Sequence, residues 1–357
     1  MNHPSTLIIA EAGVNHNGSL ERAKRMVESA ADSGADAVKF QTFQASKLAT
    51  GYAAKAEYQI CSTGAEKSQQ DLLRMLELTA KEFVEIAHCC KNNGIEFMST
   101  AFDSESLSLL LELGIKRIKI PSGEMTNAVM LYDVAKVGLP IILSTGMCTL
   151  GEVETSLAYI SMGMIGMNPE NMEIERAFTT PDTWGKLEKS VTILHCTTEY
   201  PAPFEEVNLR AMDVILNSFG LPVGYSDHTV GIAVPIAAVA RGAVMIEKHF
   251  TLDRSLPGPD HMASLEPDEL GQLVVSIRQV ETSLGSSRKC PSPRELGTRE
   301  NARKSIVAAR RISKGDVLSS ENLALKRPGK GLPPALYWSI LGRVAEKDFD
   351  EDEPISL

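Results

Sequence analysis

Along this chain, short apolar runs rich in Val, Ile and Ala alternate with longer stretches in which apolar positions return every three or four residues. The first pattern is that of strands, the second that of amphipathic helices. Eight runs read as strands: 6–14, 37–43, 96–102, 117–122, 140–146, 191–198, 222–228 and 244–250. Between them the helical period covers 20–33, 81–92, 104–113, 128–137 and 209–219, and a further helix is expected near 267–284. Several of these helices stop at a glycine, among them Gly34, Gly94, Gly114, Gly138 and Gly220, a common helix terminator before a short turn. Strict alternation requires parallel strands joined by right-handed crossovers. Eight such units within about 285 residues predict an α/β fold of the closed (β/α)8 (TIM) barrel type. No GxGxxG follows the first strand, so a dinucleotide-binding fold loses its main support.

The barrel pattern occupies residues 1–285, and the polar stretch 286–299, with its two prolines, reads as a linker. From 300 to 357, short β-like runs are broken by Lys314-Gly315-Asp316, Pro328-Gly329-Lys330-Gly331 and Pro333-Pro334, which predicts a separate small β-rich domain. Two excursions interrupt the barrel. Residues 44–80, with Tyr58 and an amphipathic piece at 72–78, read equally as a lid over a substrate or a packed surface loop. Residues 164–190 form an insertion before the sixth strand. Met162, Met164 and Met167 read as gap-filling core.

A formal net charge of −10 over 357 residues argues against non-specific binding to nucleic acid or to an anionic membrane. No window approaches the roughly 20 apolar residues that span a bilayer, and the start carries no cleavage-type signal. The six cysteines form no CxxC pair and read as reduced thiols of a cytoplasmic protein.

In such barrels the carboxyl ends of the strands share one face, where active sites are built. Here those ends supply Glu11, Asn15 and His16; Lys39 and Gln41; Ser99 and Thr100; Lys119, Ser122 and Glu124. They continue with Ser144 and Thr145; Thr197, Thr198 and Tyr200; Ser226, Asp227 and His228; Glu247, Lys248 and His249. Taken singly, such polar residues are helix caps and loop starters, and Asn17 or Ser19 reads as the cap of the first helix. Caps do not account for lysines, glutamates and histidines converging on one rim, since charges in strands are costly to bury without partners. Lys39 and Lys119, among Thr100, Ser122, Ser144 and Ser226, form a cradle for phosphate and carboxylate. His228 and His249 end neighbouring strands and suit a weakly held divalent ion, Mn2+ or Mg2+, completed by oxygen ligands. A strand-end lysine equally suits a Schiff base with pyruvate, and a third reading is a non-catalytic carbohydrate-binding protein.

The stretches IIAEAGVNHNGS (8–19), DAVKFQTF (36–43), STAFD (99–103), KIPSGE (119–124) and ILSTGM (142–147) resemble those of the sialic-acid-type (nonulosonic acid) synthases. LHCTTEYPAP (194–203), GYSDHT (224–229), EKHFT (247–251) and PGPDH (257–261) continue the likeness in order. Residues 302–331 resemble the antifreeze-like (SAF) domain that these synthases carry, so the resemblance extends beyond the barrel. It implies condensation of phosphoenolpyruvate with an N-acetylated amino sugar in its open-chain form, with C–O cleavage and loss of phosphate. It implies that Lys39, Thr100, Lys119, Ser122, Ser144, Thr198 and Ser226 hold phosphoenolpyruvate and that His228 and His249 hold the metal. Glu124 would take a proton from the attacking water, with Glu11 assisting proton transfer; Glu11, Gln41, Tyr200 and Asp260 would position the sugar. It further implies a homodimer in which the small domain caps the partner barrel and Arg327 touches the N-acyl group. Thr198 stands where the neuraminate-forming members usually carry Asn, and the run at 196–209 resembles the branch that makes legionaminic acid from 2,4-diacetamido-2,4,6-trideoxymannose. An N-acetylneuraminate synthase acting on N-acetylmannosamine is the alternative within the family.

Overall fold

Successive side chains of a strand point to opposite faces, so each strand of a barrel sorts its residues into an outward and an inward set. In the computed structural model, which describes residues 5–56, 59–60, 64, 68–169, 174–180 and 183–357, all eight expected strands form. They are β1 (Leu7–Gly13), β2 (Ala37–Thr42), β3 (Glu96–Ala101), β4 (Ile118–Ile120), β5 (Ile141–Ser144), β6 (Val191–Cys196), β7 (Val223–Asp227) and β8 (Met245–His249). They pair in that order, all parallel, and β1 pairs with β8 to close the barrel. Each is slightly shorter than its apolar run, because the last residues leave the ladder to form the mouth.

The outward set, including Ile8, Val38, Phe40, Ile118, Leu143, Ile193 and Ile246, packs under the surrounding helices in the large core. Inside, Leu7, Ile9, Ala37, Met98, Ile142, Leu194 and Met245 close the barrel with an apolar plug. Burying each larger side chain stabilises the fold by roughly 1.5–3 kcal/mol. Gly224 belongs to this layer, for a Cβ there would lie 2.5 Å from both Leu194 Cδ2 and the Met245 carbonyl oxygen. Two residues beyond the plug on six strands, and at Lys119 on β4, the inward positions turn polar, while β6 places Cys196 there.

Helix ends follow local chemistry. Ser19 caps the helix Leu20–Asp32 by accepting from the Arg22 amide, while Thr79 with Glu82 and Thr149 with Glu152 form capping boxes for Ala80–Asn92 and Leu150–Ile165. The excursions carry short helices, Ala45–Leu48 and Gln69–Leu76 in the first, Ile174–Thr179 and Thr183–Ser190 in the second. Tyr58 and Cys61 lie outside the described residues.

The chain divides into two compact units, 1–285 and 286–357. The stretch expected to be a linker departs from that expectation: it belongs to the second unit, and its later half begins the helix Pro293–Ala302. Ser292 caps that helix, Glu295 completes a capping box and Pro293 occupies the first turn, so a composition typical of linkers encodes a helix start. The second unit holds one antiparallel pair, Ser305–Ala308 with Leu323–Lys326, around a small core of Ile306, Ile312, Leu318, Ile340 and Phe349. Isolated bridges such as Ile312 with Phe349 extend the β-character. Among the described residues no helix is long and apolar enough to cross a membrane.

Alternation also separates two strand-end charges from the rest. Asp227 and Lys248 face outward into the helix layer, fully buried, with Lys248 Nζ 2.7 Å from Asp227 Oδ2. Lys248 also donates to the Thr229 carbonyl, and Tyr225 OH and Thr229 donate to Asp227. Removing one member leaves a buried charge unpaired, so Lys248→Met is expected to cost about 3–5 kcal/mol. Replacing both, Asp227→Asn with Lys248→Met, should recover part of that loss in denaturant unfolding.

Candidate active site

The polar layer above the plug is built by strand register. Glu11 stands opposite Lys39 and His249, Thr100 opposite Lys119, and Ser226 opposite Cys196 and Glu247. Four charged groups meet there, all nearly inaccessible to solvent. Lys39 Nζ lies 2.7 Å from Glu11 Oε2 and 3.6 Å from Glu247 Oε2, and Lys119 Nζ lies 3.3 Å from Glu247 Oε1. Lys39 also donates to Thr100 Oγ1 (3.1 Å), Ser226 Oγ to Glu247 Oε1 (3.2 Å), and Gln41 Nε2 to Glu11 Oε1 (3.2 Å).

The two carboxylates do not share this environment equally. Burial pushes Glu11 up to about 7, against the pull of Lys39 and with the repulsion of Glu247. Burial also resists ionisation of Glu247, yet Lys119 and Lys39 together bring it down to about 2. Lys119 is lowered chiefly by burial, whereas for Lys39 the nearby Glu11 and Glu247 outweigh burial and raise it. Glu247 is therefore the standing counter-charge, and Glu11 is the carboxyl with an exchangeable proton near neutrality.

Above this floor sits the mouth. The rings of His228 and His249 have centroids 5.3 Å apart, with the Tyr200 ring 4.1 Å from the first and 5.5 Å from the second. His228 Nδ1 lies 2.6 Å from the Thr197 carbonyl oxygen, so Nδ1 carries the proton and Nε2 presents a lone pair. His249 Nδ1 is buried without a hydrogen-bond partner, and Asp260 Oδ2 is 3.9 Å from it. Burial raises Asp260 to about 6 and holds His249 well below the ordinary imidazole range. Gly146 brings its N–H to Ser122 Oγ at 3.0 Å, an approach that a Cβ would block by collision with Thr198 Oγ1.

Floor and mouth line one cavity of about 230 Å³. Five buried polar atoms on its walls lack an aligned hydrogen-bond partner: Glu11 Oε2, Ser144 Oγ, Thr198 Oγ1, Glu247 Oε2 and His249 Nδ1. Native interiors rarely leave such atoms unsatisfied, so their concentration here marks a place for a polar ligand. The two imidazoles suit a divalent ion that takes its other ligands from oxygen. Among the described residues, no group of three or more His, Cys, Asp or Glu side chains forms a complete metal cage.

Every residue to which the resemblance gives a substrate, metal or catalytic role lines this cavity except Glu124 and Arg327, whereas the strand-end residues Asn15, His16, Ser99, Thr145, Thr197, Asp227 and Lys248 do not. Glu124 is half-buried in the turn after β4, and its Oε2 accepts from Asn127 Nδ2 at 2.7 Å. Arg327 is exposed in the second unit. Sequence reasoning gave no individual role to Glu247 or Cys196, and read the piece at 72–78 as lid or surface loop; Glu247, Cys196, Leu72, Leu73 and Leu76 all line the cavity. For Glu247 the signal was present, because it shares the inward parity of Met245 and His249.

The chain matches the NeuB family over residues 26–289 and the SAF domain over 303–357. It is 48% identical to an N,N'-diacetyllegionaminic acid synthase of Campylobacter jejuni over 350 residues, 98% of each chain. It is 47% identical to the enzyme of that name from Legionella pneumophila, over 94% of this chain and 89% of the other. Among solved structures, the N-acetylneuraminic acid synthetase of Leptospira borgpetersenii in complex with citrate is similar, with a TM-score of 0.67 and 32% identity over 83% of this chain and 90% of that one. With barrel, cavity and near full-length likeness in agreement, the chain is an enzyme belonging to the NeuB family, and it ends in a SAF domain.

Proposed function

We propose that this enzyme is a nonulosonic acid synthase that joins phosphoenolpyruvate and water to open-chain 2,4-diacetamido-2,4,6-trideoxymannose, giving N,N'-diacetyllegionaminate and phosphate. The observation that carries the reading is the cluster of unsatisfied polar atoms in a lysine- and hydroxyl-lined floor beneath two imidazoles. The choice of sugar is supported by the likeness to the two legionaminic acid synthases.

Lys39 and Lys119 supply charge for the carboxylate and phosphate of phosphoenolpyruvate, and Thr100, Ser122, Ser144, Thr198 and Ser226 add directional donors. Gln41, Tyr200 and Asp260 hold the sugar so that its aldehyde carbon faces carbon three of the enol. A Mn2+ or Mg2+ ion held by His228 and His249 would polarise the aldehyde oxygen. The enol then forms the new C–C bond as the aldehyde C=O opens to an alkoxide, cationic character appears at carbon two, and water adds there, its two protons ending on the alkoxide and on the departing phosphate. We give the water's proton to Glu11 rather than Glu124, because Glu11 lines the cavity with a proton affinity near neutrality and Glu124 is bonded to Asn127 outside it. Collapse of the tetrahedral carbon breaks its bond to the bridging oxygen, which leaves with the phosphate. The reading includes a homodimer in which the SAF domain of one copy caps the barrel of the other and brings Arg327 to the acetamido group.

Phosphate should be released from phosphoenolpyruvate only when the diacetamido sugar and a divalent ion are both present, with a product mass that identifies the nine-carbon acid. Preference for N-acetylmannosamine would assign the alternative member of the family, and release without any sugar would sink the reading. Replacing His228 or His249 by Ala should lower turnover about 100-fold or more while leaving the unfolding transition in place. Full activity in either variant would defeat the metal assignment.

Glu11 must be ionised to accept a proton. Since burial places its pKa at about 7, kcat/KM is expected to rise with pH across neutrality. Glu11→Gln should lose that acid limb along with most of the turnover; an unchanged pH profile would remove Glu11 from proton transfer.

A further inference from the structure

The cavity has two unlike sides. Its floor is ionic and hydroxylated, with two lysines and two glutamates, but the side facing the loops after β1 and β3 is built from Val14, Phe102 and the leucines of the helix Gln69–Leu76. Ser68 caps that helix by accepting from the Asp71 amide. Leu72 and Leu76 anchor it, buried against Val14 and Phe43, while Leu73 is half-buried on the same cluster and also reaches the cavity. The helix backbone is pinned as well: at Gly18, φ +70°, a Cβ would sit 2.5 Å from the Met75 carbonyl oxygen. The first excursion thus supplies a fixed apolar wall, with Gln69 offering an amide at its start.

We propose that this helix, through Leu73 above all, sets the choice of sugar by seating a deoxygenated methyl end. This inference rests on the proposed function and names the element that selects within it. An anionic substrate takes the floor, and an aldehyde is held near the two imidazoles. The carbon chain of the sugar then extends along the remaining wall. Leucine offers no hydrogen bond, so a methyl gains from contact there, whereas a hydroxyl gives up its water without compensation. A wall of this kind discriminates by about 10–100-fold.

The test compares kcat/KM for 2,4-diacetamido-2,4,6-trideoxymannose with that for its 6-hydroxy counterpart, in the parent enzyme and in Leu73→Asn. The parent should favour the deoxy sugar, and Leu73→Asn should reduce the ratio by about tenfold with the KM for phosphoenolpyruvate unchanged. Leu73→Met, apolar and of similar volume, should keep the parent ratio. If Leu73→Asn does not fold, Leu73→Thr carries the same comparison. An active polar variant whose ratio equals that of the parent would overturn the inference and leave the proposed function standing. A parent that turns over neither sugar would sink the function, and this inference with it.

Discussion

The structure depends on holding two lysines and two glutamates inside a barrel with almost no access to water. Burying an ion costs several kcal/mol even after relaxation, and attraction between partners repays that cost only with close geometry and satisfied hydrogen bonds. Here the repayment is incomplete. Lys39 has Glu11 at 2.7 Å, but its second carboxylate, Glu247, is 3.6 Å away, and one oxygen of each glutamate lacks an aligned donor. The contrast with Asp227 and Lys248 is instructive. That pair is equally buried, yet every contact around it is made by the fold itself, from Tyr225, Thr229 and the Thr229 carbonyl. One buried ion pair is completed by the fold; the quartet is not, and its free acceptor positions face the cavity.

What allows the barrel to tolerate such a floor is the layer beneath it. Ile9, Met98, Ile142, Leu194 and Met245 fill the lower barrel tightly enough that Gly224 has no room for a methyl group. With that apolar layer beneath and almost no solvent exposure, each charge above feels its neighbours through a poorly screening medium. This is why one carboxylate rises to about 7 while its neighbour falls to about 2. Glu247 sits between both ammonium groups, whereas Glu11 has one close lysine and the repulsion of Glu247. The difference between a counter-ion and a proton carrier is set by position on the strand ladder.

Much of this was legible because period-two alternation is a strong signal. A lysine inside an apolar strand is conspicuous, so Lys39 and Lys119 stood out, and strand order brought them together. Parity would also have sorted Glu247 inward and Lys248 outward, a step that reading strand ends as clusters does not take. Beyond the last paired residue, parity fails. Glu124 lies in a turn where Asn127 competes for its carboxylate, and nothing in the local pattern announces that competition. The helix Ala233–Ala240 was hidden for the opposite reason: it is apolar throughout, so no 3.6-residue period appears. The wall formed by Gln69–Leu76 was visible as an amphipathic piece, but the surface it covers follows from tertiary packing around Val14 and Gly18.

The vertical order of the cavity constrains what can happen in it. Each strand advances about 6.6 Å over two residues, so Glu247 and Ser226 lie a full layer below His249 and His228. Whatever occupies the floor is covered by whatever occupies the mouth. In the proposed function the anionic substrate would lie below, against the lysines, and the neutral sugar above, between imidazoles and leucines. Glu11 stands at the junction of the two layers, opposite both Lys39 and His249, its Oε1 held by Gln41 and its Oε2 paired with Lys39. In the proposed reaction a carboxylate fixed there would take the proton from water, with Lys39 beside it in the same register. The cavity thus changes character along the strands, from ion pairs where the lysines and glutamates meet to packed rings where Tyr200, His228 and His249 gather.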